Sequence, residues 1–141
     1  MSGFQYDGTS KVNCVSEKIK ITNSDSVADL CIDLISETRE HFVVILLNSA
    51  GELIEKSIVS IGSLNQSIVH PREVFRNAIV KNAAGIIVAH NHPSGNPEES
   101  QEDIRITKRL KECGVLIGIE LLDHVIISER GHTSLREKGI V

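Results

Sequence analysis

Apolar positions along this chain switch between helical and strand periods, and each switch marks an element. Residues 1–23 carry no sustained period and read as an N-terminal arm, with a short strand expected at Lys18-Ile19-Lys20-Ile21. Val27, Leu30, Cys31, Leu34 and Ile35 then recur at the spacing of one helix face, behind Ser24 or Ser26 as cap. The run Phe42-Val43-Val44-Ile45-Leu46-Leu47-Asn48 is apolar, rich in β-branched residues and too short for a helix, which predicts a central strand. Asn48-Ser49-Ala50-Gly51 has hairpin-turn chemistry, and a second strand is expected over about residues 53–61. Past the Gly62-Ser63 break, residues 66–70 are expected to add a short extended piece. Pro71 suits the first position of a helix reaching Lys81, with Val74, Phe75, Ala78 and Ile79 turned inward. Gly85-Ile86-Ile87-Val88-Ala89-His90 predicts another buried strand, and residues 100–113 a helix stopped by Gly114. Two last strands are expected over residues 115–121 and 124–128. Residues 24–141 thus predict one α/β domain, a mixed β-sheet flanked by helices in two or three layers.

Composition narrows the class. A chain of 141 residues with 40% apolar content can bury a single core. Its first ten residues have no apolar stretch behind basic ones, so no secretory signal is expected, and no run reaches membrane-spanning length. A cytoplasmic protein without a membrane partner follows. Cys14, Cys31 and Cys113 are odd in number and far apart, against both a disulfide framework and a Cys-x-x-Cys knuckle. A net charge of −4 gives no general attraction to nucleic acid, and Lys108, Arg109 and Lys111 read as a solvated helix face. The His-Glu-x-x-His helix, the His-x-Glu with Pro-Cys-x-x-Cys of deaminases and the Gly-x-x-x-x-Gly-Lys phosphate loop are all missing.

What chemistry there is concentrates in residues 90–103. Strand alternation turns His90 and His92 the same way, so their imidazoles can converge. Asp103 follows eleven residues after His92, past a loop punctuated by Pro93, Gly95 and Pro97. On its helix it shares the inward stripe with Ile106, Leu110 and Cys113, where a carboxylate is costly unless a cation compensates it. Two imidazoles and one carboxylate would leave a fourth tetrahedral position open, the mark of a catalytic rather than a structural zinc. Asp103 also fits the first turn of a helix capped by Ser100, and the two roles are compatible.

The segments Pro71-Arg72-Glu73-Val74-Phe75-Arg76, His90-Asn91-His92-Pro93-Ser94-Gly95, Ser100-x-x-Asp103 and Leu121-Leu122-Asp123-His124 resemble the RadC family, a branch of the JAMM (MPN+) metalloprotease superfamily. The likeness runs over roughly residues 25–139, and seven residues between His92 and Ser100 make it specific. It implies a cytidine-deaminase-like α/β fold, a zinc ion on His90, His92 and Asp103, a serine at Ser100, and an upstream glutamate that acts on water. Glu40, directly before the strand at Phe42, is the best match for that glutamate; Glu37, Glu52 and chiefly Glu73 are its rivals. The Pro-Arg-Glu segment otherwise reads as structural, with Arg72 or Glu73 in a buried pair or in a contact that supports the ligands.

The resemblance implies a zinc metallopeptidase acting on a peptide or protein substrate. Glu40 would take a proton from water and pass it to the leaving amine, and Ser100 would donate to the developing oxyanion. Asn91 and Ser94 are expected to shape the loop, with Ser94 and the Asp123-His124 pair as candidate supports for the ligands. Longer family members begin with a helix-hairpin-helix region, and no such region is expected within these 141 residues. A nucleic-acid partner, in a DNA repair or recombination accessory, is the alternative from another class.

Overall fold

Three helices and five strands make up the computed structural model, which describes residues 18–65 and 67–141. The elements are α1 (Ser24–Leu30), β1 (His41–Leu47), β2 (Leu53–Ile61), α2 (Pro71–Val80), β3 (Gly85–Asn91), α3 (Gln101–Ile117), β4 (Glu120–Ser128) and β5 (Gly131–Ser134), with a 3-10 turn over Ile32–Ser36. The strands form one 5-stranded sheet in the order β2-β1-β3-β4-β5. Only β3 and β4 run parallel, and α3 is the crossover between them. β1 and β3 are buried at every residue because helices cover both faces of the sheet's centre, which explains their continuous apolar sequence.

Strand alternation divides the core in two. Phe42, Val44, Leu46, Ile86 and Val88 face Val74, Phe75 and Ala78 of α2 and Ile106 and Leu110 of α3. Val43, Ile45, Leu47, Ile87, Ala89, Val125 and Ile127 face Val27, Cys31 and Leu34 on the other side. The architecture is therefore three-layered. Register carries the first face onward to the site: Phe42 pairs with His90 across β1 and β3, and Val88 with His124 across β3 and β4.

Several boundaries differ from the sequence expectation, each for a local reason. The first helix is capped by Asn23, whose Oδ1 accepts the Ser26 N–H at 3.0 Å, and it tightens into the 3-10 turn instead of running on to Ile35. The strand expected at residues 18–21 reduces to one antiparallel bridge between Lys20 and Glu52; the rest of the arm, residues 1–17, lies outside the described residues, Cys14 included. Residues 67–69 turn rather than extend, because Asn65 Oδ1 accepts the N–H groups of Ser67 and Ile68. Ile79 is 53% exposed, not inward.

The largest difference is in α3. Gly114 does not stop it; the helix continues to Ile117 and ends at Gly118, whose φ of +85° suits glycine. Gly114 is instead a contact glycine, since a Cβ there would collide with the carbonyl of Ile119. Residues 115–117 are accordingly helical, and the last two strands are β4 and β5. Among the described residues no helix is long and apolar enough to cross a membrane.

Candidate metal centre

The end of β3 delivers His90 onto the α2/α3 face, fully buried, and His92 leaves the strand just beyond it, held by its N–H to the Ile127 carbonyl at 2.9 Å. Pro93 then starts a turn closed by the Gly95 N–H on the His92 carbonyl at 3.0 Å, with Gly95 at φ +88°. This turn lets the chain swing back to α3. There Ser100 caps the helix: its Oγ accepts the Asp103 N–H at 3.0 Å, and Asp103 Oδ2 accepts the Ser100 N–H at 2.8 Å. Asp103 is only 2% exposed, as its place on the inward stripe predicts.

The three side chains meet at one point. His90 Nε2 and His92 Nε2 are 3.0 Å apart, and each lies 3.2 Å from an oxygen of Asp103. Ligand atoms about 2.0–2.1 Å from a tetrahedral ion sit about 3.3 Å from one another, so this spacing fits one metal. Glu40, half-buried just before β1, offers a second carboxylate: one ligand atom each from Glu40, His90 and His92 lies within 4.8 Å of the others, a group without Asp103 that could hold a metal ion, whereas Asp103 turns a different oxygen to each ring.

Hydrogen bonds around the rings decide which atoms can do so. Thr107 Oγ1 donates to the Asp103 carbonyl at 2.7 Å, which spends its only hydrogen. At 2.6 Å from His124 Nδ1 it must therefore accept, so His124 carries its proton on Nδ1. Burial beside Phe42 keeps His124 neutral and holds it well below the ordinary imidazole range. His124 Nε2 is then a bare acceptor, and His90 Nδ1, 2.8 Å away, is the donor. His92 Nδ1 likewise donates to the Asn96 carbonyl at 2.9 Å. Both Nε2 atoms thus present lone pairs to each other and to a carboxylate.

Such a cluster selects a cation, whether proton or metal. Burial pushes the Asp103 carboxyl upward, but once a proton sits on Nε2 of His90 or His92 the hydrogen bond it makes to the carboxylate outweighs burial and holds Asp103 well below the usual carboxylate range. The Asp103 hydrogen bond in turn raises His92 above the ordinary imidazole value, against its partial burial.

Glu40 is placed by Asn91, a residue expected to shape the loop. Asn91 Oδ1 accepts the His41 N–H at 2.7 Å and Asn91 Nδ2 donates to the Arg39 carbonyl at 3.0 Å, so one amide grips both peptide groups that flank Glu40. The rival glutamates are engaged or turned away. Glu37 is exposed beside His41 at 3.8 Å, Glu52 takes Asn48 Nδ2 at 2.9 Å, and Glu73 and Arg72 are both exposed, so the expected buried pair in that segment does not form.

Asp123 and His124 are not a pair either, because neighbouring strand residues face opposite sides. Asp123 accepts the N–H groups of His124 and Arg136 at 2.7 and 3.0 Å and the Ser134 hydroxyl at 2.6 Å, tying β4 to β5 and the turn after it. Ser94 is exposed and serves only its loop, accepting the Asn96 N–H at 3.4 Å. Thr107 was overlooked although it stands one turn after Asp103 on the same stripe; a threonine amid Ile106 and Leu110 was the available signal.

The chain resembles known proteins over most of its length. A family model, the RadC-like JAB domain, matches residues 21–140. A UPF0758 protein of Clostridium acetobutylicum is 53% identical over 126 residues, covering 89% of this chain and 55% of its own. One from a Geobacillus species is 60% identical over 104 residues, covering 74% and 46%, and one from Staphylococcus aureus 53% over 125 residues, covering 88% and 57%. The chain spans about half the length of these relatives.

Proposed function

The chain belongs to the RadC-like JAB domain family, and from that premise we propose that it is a zinc-dependent hydrolase of peptide or isopeptide bonds, with His90, His92 and Asp103 as metal ligands, Glu40 as general base and Ser100 as oxyanion donor. One observation carries the reading: two imidazole lone pairs and a buried carboxylate meet within 3.0–3.2 Å with the Glu40 carboxylate beside them. A zinc ion held there would acidify a water and polarise a carbonyl.

The chain's own residues supply the rest. A carboxylate oxygen of Glu40, on the same side of β1 as Phe42, accepts the water proton and returns it to the departing amine. The Asn91 grip keeps that carboxylate from swinging away. Ser100 uses its oxygen as the helix cap, which leaves its hydroxyl hydrogen to donate to an oxyanion at the exposed rim.

The test is a panel of peptide and isopeptide substrates with zinc-loaded protein. Glu40→Gln should lower turnover by about 10²–10⁴-fold with zinc content retained. Salt-sensitive DNA binding by a protein that cleaves nothing in the panel would replace this reading with a nucleic-acid one.

A further inference from the structure

A histidine can bind a metal through Nε2 only if its proton is on Nδ1, and which nitrogen holds it is set by the hydrogen bond the other makes. We propose that Thr107 and His124 are positioning residues, a two-link relay that holds His90 in the one tautomer that leaves Nε2 free for a metal. The inference rests on the metal-site reading above and adds residues that are neither ligands nor Glu40 and Ser100.

The relay has a direction. It starts at the Asp103 backbone carbonyl, which can only accept, and this makes Thr107 Oγ1 a donor there and an acceptor toward His124. His124 is fully buried, so its Nδ1–H has no other outlet, and its Nε2 must then accept from His90. The last link aims the bare His90 Nε2 at the carboxylate of Asp103, 3.2 Å away, so the chain begins on the backbone and ends at the side chain of one residue. Phe42 packs edge-on to the His124 ring at 5.8 Å and stacks on His90 at 6.2 Å, fixing both ring planes.

Cutting the first link should reverse the whole chain. In Thr107→Val, His124 Nδ1 loses its acceptor, so the ring moves its proton to Nε2 and donates to His90 Nδ1. His90 must then carry its proton on Nε2, where it satisfies Asp103 and blocks the metal. The metal-free protein stays folded while metal affinity falls, a combination that a merely structural role would not produce.

The experiment combines nitrogen–proton correlation spectra of ¹⁵N-histidine in metal-free protein, at a pH where the rings are neutral, with zinc competition against a chromophoric chelator. Wild type should show His90 protonated on Nδ1. Thr107→Val should invert that tautomer and weaken zinc binding by about 10–100-fold, and Thr107→Ser should restore both. His124→Gln, which keeps an acceptor near the Nε2 position, should retain the Nδ1 proton, whereas His124→Leu should not; this second pair decides the matter if Thr107→Val does not fold. An unchanged tautomer and unchanged affinity in Thr107→Val or His124→Leu overturns the relay. Failure of wild type to bind zinc overturns the metal reading instead, while the tautomer result still judges the relay.

Discussion

Replacing Asp103 by asparagine separates a metal ligand from a helix cap, because the two roles respond with opposite signs. The cap survives: an asparagine Oδ1 can still accept the Ser100 N–H now bonded at 2.8 Å. The amide NH₂ also gives the cluster a hydrogen it lacks, placed to donate to His90 Nε2 at 3.2 Å. That bond is worth about 1 kcal/mol. With an unfolding entropy of about 2.1 cal/mol/K per residue, a chain of 141 residues carries about 0.3 kcal/mol/K, so metal-free Asp103→Asn should melt about 3 °C above wild type. Zinc at a hundred times its dissociation constant should stabilise wild type by about 2.7 kcal/mol, about 9 °C on the same scale, and should leave Asp103→Asn unmoved. Asp103→Ala keeps the Ser100 cap but removes the carboxylate that accepts the Ser100 N–H at 2.8 Å, and should fall about 1 kcal/mol below wild type without metal. Calorimetric melts in chelator and in zinc read all three. If metal-free Asp103→Asn melts well below wild type while zinc still lifts it by the same interval, Asp103 is a cap alone and the ligand assignment is wrong.

Four shorter expectations follow from the same geometry. Ser100→Ala should cut kcat by about 10²–10³-fold at unchanged zinc affinity, and cost about 1 kcal/mol of stability through the lost cap; titration and urea melts distinguish these. Asn91→Ala strands the buried His41 N–H that Asn91 accepts at 2.7 Å, so it should destabilise by about 1–3 kcal/mol and lower kcat with zinc stoichiometry intact. Zinc affinity should fall about tenfold per pH unit on acidification, and the fall should begin above the ordinary imidazole value of 6.5, since Asp103 raises His92. Burial pushes the Cys31 thiol from 9.0 up to about 11; the folded chain holds that proton more tightly, so the contribution is complete below pH 9 and lost as pH rises through about 11. Wild type should therefore lose about 2–3 kcal/mol more than Cys31→Ala over that interval in urea melts.

Period was the legible part of the sequence, and contact was not. Residues 42–47 and 85–89 are apolar throughout because helices cover both faces of the sheet there, a fact local sequence carries, and the inward stripe of α3 identified Asp103 as a buried carboxylate. Gly114 misled because a stop glycine and a contact glycine look alike until the neighbour, the Ile119 carbonyl, is known. The 3-10 turn at Ile32–Ser36 keeps the apolar spacing of a helix while changing its hydrogen bonds, so the period concealed it. Motif spacing likewise brought His90, His92, Ser100, Asp103 and the Asp123-His124 segment into view, whereas Thr107, the His124 contact with His90 and the Asn91 grip depend on which strand lies beside which.

The topology explains why the site lies at this end of the sheet. Parallel β3 and β4 joined by α3 bring the carboxyl end of β3 and the amino end of α3 together, the place where open α/β sheets present their loops to ligands. β1 runs antiparallel to β3, so its first residues, not its last, lie at that same end, and Glu40 arrives there with Phe42 paired to His90. Most of the contributors therefore stand on strands or on the first turn of a helix, and the lone pairs are crowded together by the fold itself. Crowding acceptors in a buried place opposes folding, which is why filling the gap with the amide of Asp103→Asn should stabilise the metal-free chain and abolish its metal binding at once.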